Sequence, residues 1–241
     1  MTDAHCHVSC GDSSVREFIV GRDFFGIHPW ETLEECKVES VKCKVEGELR
    51  SKLIANPAAG VGEIGLDRLK VRDIPPLMRE VFEAQLMLAL ELNRPVVLHG
   101  AKCWGQVVET IKVQSAFAAK PLVPSRGKAV LVQGVEASGT RFLFHGFSRS
   151  DGLIPDIVKL NGFISVGPAV LNDHAVNYRA LVKKIPLDRL LVETDAVVGA
   201  RVPTRPHIRE VLEKTAEILG VSSAELERIT DENADRFLGV V

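Results

Sequence analysis

The chain has 241 residues, of which 46% are hydrophobic and 26% charged, with a formal net charge of −2. That is enough apolar material for one large buried core, and it excludes a disordered chain. The balanced charge excludes a surface built to coat duplex nucleic acid, while leaving room for an enzyme that grips a few phosphates locally. Cys6, Cys10, Cys36, Cys43 and Cys103 are odd in number and irregular in spacing. They predict free thiols in a reducing compartment, the cytoplasm. No apolar stretch follows Met1, and no run approaches the roughly 18 apolar residues of a membrane span.

Asp3 to Val8 reads as a first strand. Glu17 to Val20 and Phe24 to Ile27 are short apolar runs, closed by His28-Pro29-Trp30. Glu31 to Lys52 is charged and predicts an amphipathic helical region containing Cys36 and Cys43. Ala58 to Leu66 is a strand, and Pro75 to Leu92 carries a wide helical stripe that stops at Asn93. Val96 to His99 is a strand and Trp104 to Val113 a helix; Lys120 to Gly139 reads as a variable loop. Strands follow at Arg141 to His145, Gly162 to Val166 and Leu190 to Glu193. Helices follow at Ile154 to Leu160, Tyr178 to Lys184, Ile208 to Leu219 and Ser223 to Leu238, the last capped by Ser222 or Ser223. Strand–helix alternation predicts a parallel sheet, and fully apolar strands such as Val96-Val97-Leu98 predict burial on both faces. Eight strand candidates predict an α/β fold closed into a TIM-like (β/α) barrel, with residues 1–241 forming a single domain.

The chemistry-bearing residues cluster at strand ends. His5 and His7 sit two apart on the first strand, so alternation aims both to one side, with Asp3 on the same face. Glu63, His99, His145 and Asp195 each close an apolar run or lie just beyond one. Ligand-type residues delivered by successive strand ends are how a metal site is assembled at the mouth of a parallel barrel. His28, Lys102 and Arg149 lie just beyond strands and are candidates for substrate contact. Cys6 is expected to point away from His5 and His7 into the core, and Cys10 to be a loop thiol. There is no nucleophile elbow, phosphate loop or dinucleotide fingerprint.

Six blocks then match a known pattern in order. Asp3-Ala4-His5-Cys6-His7, Gly26-Ile27-His28-Pro29, Gly62-Glu63-Ile64-Gly65-Leu66-Asp67, His145-Gly146-Phe147-Ser148, Glu193-Thr194-Asp195 and the closing Ile229 to Phe237 resemble the TatD-like metal-dependent hydrolases. The resemblance implies an amidohydrolase-type barrel with two divalent ions, of which Zn, Mn, Mg, Fe and Ni all suit the donors. It places His5, His7 and Asp195 on one ion, Glu63 as the bridge, and His99 and His145 on the other. Asp195 would be the general base, Glu63 its catalytic partner, and Asp3 would orient a histidine ligand from behind.

The chain departs from the family pattern in three places. The stretch between His7 and Gly26 is short, which predicts a reduced second strand or an irregular barrel. Ala101 stands where the family often has an arginine, with Lys102 next to it as a substitute. The loop after Asp195 reads Arg201-Val202-Pro203-Thr204-Arg205-Pro206 in place of the usual pattern. The expected activity is phosphodiester hydrolysis of the deoxyribonuclease type, on single-stranded DNA ends, with no obligatory protein partner and no membrane. Hydrolysis of another ester or amide, or of aminoacyl-tRNA, on the same fold is one alternative; a non-enzymatic binding barrel is the other.

Overall fold

A computed structural model describes residues 1–34, 44–118, 139–197 and 207–240 of the chain. Among the described residues eight strands run in chain order: β1 (Thr2–Cys6), β2 (Arg16–Ile19), β3 (Phe24–Phe25), β4 (Gly60–Asp67), β5 (Val96–Ala101), β6 (Phe142–Phe144), β7 (Gly162–Val166) and β8 (Leu190–Val192). β1 pairs with β2, and β3 through β8 pair successively, all in parallel. Two seams join these sheets into a ring. A parallel bridge links Val20 to Phe24, and the Val20 amide also donates to Cys6. At the other seam the His7 amide donates to Ala196 at 2.8 Å and the Asp195 amide to His5 at 3.0 Å. The expected barrel is therefore closed.

The short stretch before Gly26 leaves its mark. β2 and β3 have four and two residues, and residues 7–15 and 20–23 connect their strands without a helix. From β3 onward, helices cover the ring: α1 (Glu31–Glu34), a wide π-type turn (Lys44–Leu49), α2 (Arg50–Ala55), α3 (Pro76–Glu91), α4 (Trp104–Ala118), α5 (Ile154–Lys159), α6 (Val176–Val182), α7 (Ile208–Leu219) and α8 (Ser223–Leu238). Cys36 and Cys43, residues 120–138 of the predicted Lys120 to Gly139 loop and the 201–206 segment lie outside the described residues. Among the described residues no helix is long and apolar enough to cross a membrane.

Alternation along the strands sorts the core into two layers. Val96, Leu98, Phe142, Phe144, Ile164, Val166, Leu190 and Val192 face outward and pack under the helices. Val97, Leu143, Phe163 and Leu191, one residue on, fill the barrel together with Ala4, Phe18, Phe24 and Phe237. Phe237 comes from α8 and stacks on Phe24 with centroids 5.9 Å apart. It plugs the end where strands begin. The opposite end, two residues further along each strand, is left to polar side chains. α8 is held in place by a Ser222 cap that accepts from the Glu225 amide, and by a left-handed stop at Gly239.

Gly65 keeps β4 and β5 close at the level of the site. Its φ is +149°, and a Cβ there would meet the His99 carbonyl oxygen at 2.0 Å. Gly65→Ala should therefore lower stability by about 2–5 kcal/mol, from strained backbone plus the forced separation of two strands. Denaturant unfolding measures it; a loss under about 1 kcal/mol, the level of an unremarkable substitution, contradicts the close approach.

Candidate metal centre

Each inner lane that begins with a hydrophobic residue ends with a polar one: Val97 leads to His99, Leu143 to His145, Phe163 to Ser165 and Leu191 to Glu193. Glu63 arrives differently. Val61, Ile64 and Leu66 all belong to the outer core layer, which strict alternation forbids. The pairing of β4 with β5 slips between Val61 and Ile64, and Glu63 on that slip reaches the interior. β1 carries a similar slip between Asp3 and Cys6.

His5, His7, Glu63, His99, His145 and Asp195 converge at this mouth. Glu63 stands at the centre, with its side chain 3% exposed. Its Oε1 lies 2.5 Å from His145 Nε2 and 2.6 Å from His99 Nδ1. Its Oε2 lies 3.5 Å from both His5 Nε2 and His7 Nε2. Asp195 Oδ1 faces the same two imidazoles at 3.6 and 3.8 Å. Asp195, Lys102 and Arg149 all take left-handed backbone, at φ of 48°, 57° and 58°. Such conformations in non-glycine residues are uncommon, and they collect where a site holds side chains in set positions.

Burial and mutual charge set the electrostatics. Burial pushes His5 down to about 4. Burial also opposes a charge on His145, but the Glu63 carboxylate outweighs it and carries that imidazole up to about 10. Burial opposes the Glu63 charge as well, yet the surrounding imidazoles, His145 foremost, hold it well below the usual carboxylate range. Glu193 is raised to about 7 by burial, and Asp3 to about 6 for the same reason. The chain without metal thus holds a buried His145–Glu63 ion pair. A raised histidine stabilises the fold fully below its ordinary 6.5, and that contribution is lost as pH rises through about 10. The melting temperature of chelator-treated protein should fall across that interval; a flat or rising profile contradicts the pairing.

The donor set fits divalent ions. His5 Nδ1, His5 Nε2 and His145 Nδ1 are buried with no hydrogen-bond partner, a costly state for a polar atom unless something else satisfies it. Two donors each about 2.1 Å from a tetrahedral ion lie about 3.4 Å apart, close to the 3.5 and 3.6 Å from His5 Nε2 to Glu63 and Asp195. Three donor groups overlap here: His5, His7 and Glu63; His5, His145 and Asp195; and His28, Glu63 and His99. The grouping differs from the expected one in two respects. His145 groups with His5 and Asp195 as well as lying against Glu63 and His99, and His28 groups with Glu63 and His99, its Nε2 3.5 Å from Glu63 Oε1.

The remaining expected residues divide. Lys102 and Arg149 are exposed on the lip of a cavity of about 660 Å³ that also touches His99, His145 and Asp195. Neither has a carboxylate partner among the described residues. A neighbouring cavity of about 900 Å³ shares Gly146, Ser148, Arg149 and Asp195 with it and is floored by Glu193 and Tyr178. Asp3 orients no imidazole ring. Its Oδ2 accepts from the Thr194 hydroxyl at 2.6 Å and its Oδ1 from the Thr194 amide at 2.9 Å. It fixes the segment carrying Asp195 instead, because the β1 slip turns it toward that seam. Cys6 is fully buried beside Ile19 and Ala196, and Cys10 is an exposed loop thiol.

Sequence reasoning gave no role to Glu193, Ser165, Asp67 or Trp30. Glu193 accepts from the Gly146 amide at 2.8 Å and from the Ser165 hydroxyl. Its place two residues after Leu191 on an inner lane was the available signal. Asp67 accepts from Trp30 and meets His99, a contact between neighbouring strands that spacing along one chain does not reveal.

Comparison with known proteins places this centre in context. The model of the family described as TatD related DNase matches residues 13–239. YabD of Bacillus subtilis, described as an uncharacterized metal-dependent hydrolase, is 28% identical over 221 residues, covering 89% of this chain and 76% of its own. A protein described as a 3'-5' ssDNA/RNA exonuclease TatD, from Pectobacterium atrosepticum, is 27% identical over 196 residues, 76% of this chain and 67% of its own. Among solved structures, the TatD homologue YJJV of Escherichia coli superposes with a TM-score of 0.68 at 22% identity, over 96% of this chain and 79% of its own. A TatD family hydrolase of Entamoeba histolytica does so at 0.64 and 19%, over 92% and 75%. At those identities the structures establish the shared fold alone.

Proposed function

The chain belongs to the family of TatD-related DNases, and on that premise we propose that it is a two-ion phosphodiesterase acting on the ends of single-stranded nucleic acid, DNA in particular. The observation that carries this reading is the convergence of five imidazoles and the Asp195 carboxylate around Glu63, with both nitrogens of buried His5 unpartnered. An intact donor set of this kind speaks against a barrel that only binds. When bound, two divalent ions supply Lewis acidity toward a phosphoryl oxygen and make water a better nucleophile at neutral pH.

The chain's own residues do the rest. Glu63 offers one carboxylate oxygen to each side of the site and so holds both positions in register. Asp195, at the exposed rim, takes the proton of the attacking water. Lys102 and Arg149, without carboxylate partners among the described residues, hold the charge of the phosphate from the cavity lip. The two adjoining cavities meet at Asp195 and give a strand room on either side of the cleaved bond.

The test is turnover of end-labelled single-stranded and duplex oligonucleotides and of small esters, in Mn²⁺ or Mg²⁺ and in chelator. Metal-dependent shortening of the single strand is the expected result. Ester or amide hydrolysis without DNA cleavage would support a different substrate on the same fold, and no hydrolysis of any substrate would overturn the enzymatic reading.

A further inference from the structure

The buried carboxylate of Asp67 takes part in no step described so far, yet all of its contacts are with donors or with one imidazole. Its Oδ1 accepts from the Leu69 amide at 2.5 Å. Its Oδ2 accepts from the indole Nε1 of Trp30 at 2.7 Å and lies 2.8 Å from His99 Nε2. An ionised carboxylate only accepts. His99 Nε2 must therefore carry a proton. Its other nitrogen, Nδ1, lies 2.6 Å from Glu63 Oε1 and 3.4 Å from His145 Nε2, inside the donor cluster. The ionised Glu63 carboxylate likewise only accepts, so without metal Nδ1 offers it a proton as well; once an ion takes the Nδ1 lone pair, the proton that remains is the one on Nε2, held by Asp67.

We propose that Asp67, clamped by Trp30, is a positioning residue that fixes the tautomer and the ring plane of His99, so that Nδ1 is presented to the second ion. The proposal rests on the two-ion reading above. Trp30 makes the clamp reach the surface: the residue is 40% exposed, and its ring lies edge-on to His28 at 4.9 Å and is covered by the Lys70 ammonium at 3.7 Å. The second ion's histidine is thus tied to an exposed aromatic at the rim through a single carboxylate. Partners of this kind behind a ligating imidazole typically change metal affinity about 10–100-fold when removed.

Asp67→Asn breaks the arrangement in a defined way. The amide has one acceptor oxygen where three donors now converge. If that oxygen stays on the Leu69 amide, its NH₂ group faces Trp30 and His99, so Nε2 gives up its proton and the one that remains sits on Nδ1, where it blocks the ion. ¹⁵N spectra of the histidine rings in metal-free protein read this directly. Wild type should show a proton on Nε2 and Asp67→Asn should lose it. Calorimetric titration with Zn²⁺ should show the second ion weakened about 10–100-fold in Asp67→Asn, the first unchanged. Trp30→Phe, which keeps the carboxylate and removes one donor, should weaken the second ion less and leave the proton on Nε2. A wild-type Nε2 without a proton, or wild-type uptake of both ions by both variants, overturns the proposal. A wild type that takes up only one ion would overturn the two-ion reading instead, and the ¹⁵N measurement still decides what Asp67 does to His99.

Discussion

Asp195→Asn is expected to abolish hydrolysis while leaving the fold in place. The side chain is 46% exposed at the mouth of the barrel, so the substitution buries no new group. The residue lies in the left-handed region at φ 48°, and asparagine tolerates that conformation as aspartate does. What changes is chemistry. The amide accepts no proton at neutral pH, and it brings no negative charge to the two imidazoles that Oδ1 now faces. Loss of a general base alone costs about 10²–10⁴-fold in rate, and weaker ion binding adds to that. Turnover at saturating Mn²⁺, with circular dichroism and a melting curve alongside, measures both halves. Near wild-type turnover would remove Asp195 from the catalytic role.

Glu63→Gln should be as damaging to activity and, unlike Asp195→Asn, should also damage the fold. Glu63 is buried, and its two oxygens face five imidazoles. Substitution with the neutral amide leaves the His145 charge uncompensated in the interior. Removing one partner of a buried ion pair costs about 3–5 kcal/mol. The loss should be plain in denaturant unfolding of the chelated protein near neutral pH. It should shrink as pH rises toward about 10, because His145 then releases its proton in the wild type too. The contrast between the two variants separates a residue that works at the rim from one that holds the centre together. Equal stability of Glu63→Gln and wild type would show that the ion pair does not form in solution.

The barrel and the six converging side chains were legible in the sequence for a simple reason. A buried parallel strand is a short apolar run, and its first polar residue marks the mouth. Val96-Val97-Leu98-His99 and Phe142-Leu143-Phe144-His145 both read this way. The buried setting of Cys6 follows from alternation as well. What was illegible arises where alternation fails or where partners lie on different strands. The slip in β4 that brings Glu63 inside has no signal beyond its flanking glycines. The slip in β1 turns Asp3 to Thr194 rather than to an imidazole. Asp67 is separated from His99 by 32 residues and from Trp30 by 37. Nothing in the local pattern of any of the three indicates that they share one hydrogen-bonded chain. His28 reads in the sequence as a substrate contact, because its run, Phe24 to Ile27, supplies a strand of only two residues and so gives no clear strand-end signal.

The central claim is that Glu63 lies between two divalent ions at the strand ends. It is tested most directly by anomalous diffraction at the Mn and Zn absorption edges, on crystals of protein prepared without chelator and soaked in either metal. Two anomalous peaks flanking the Glu63 carboxylate are predicted, one beside His5 and His7 and the other beside His99. A single peak remote from Glu63, or none at saturating metal, would contradict the account.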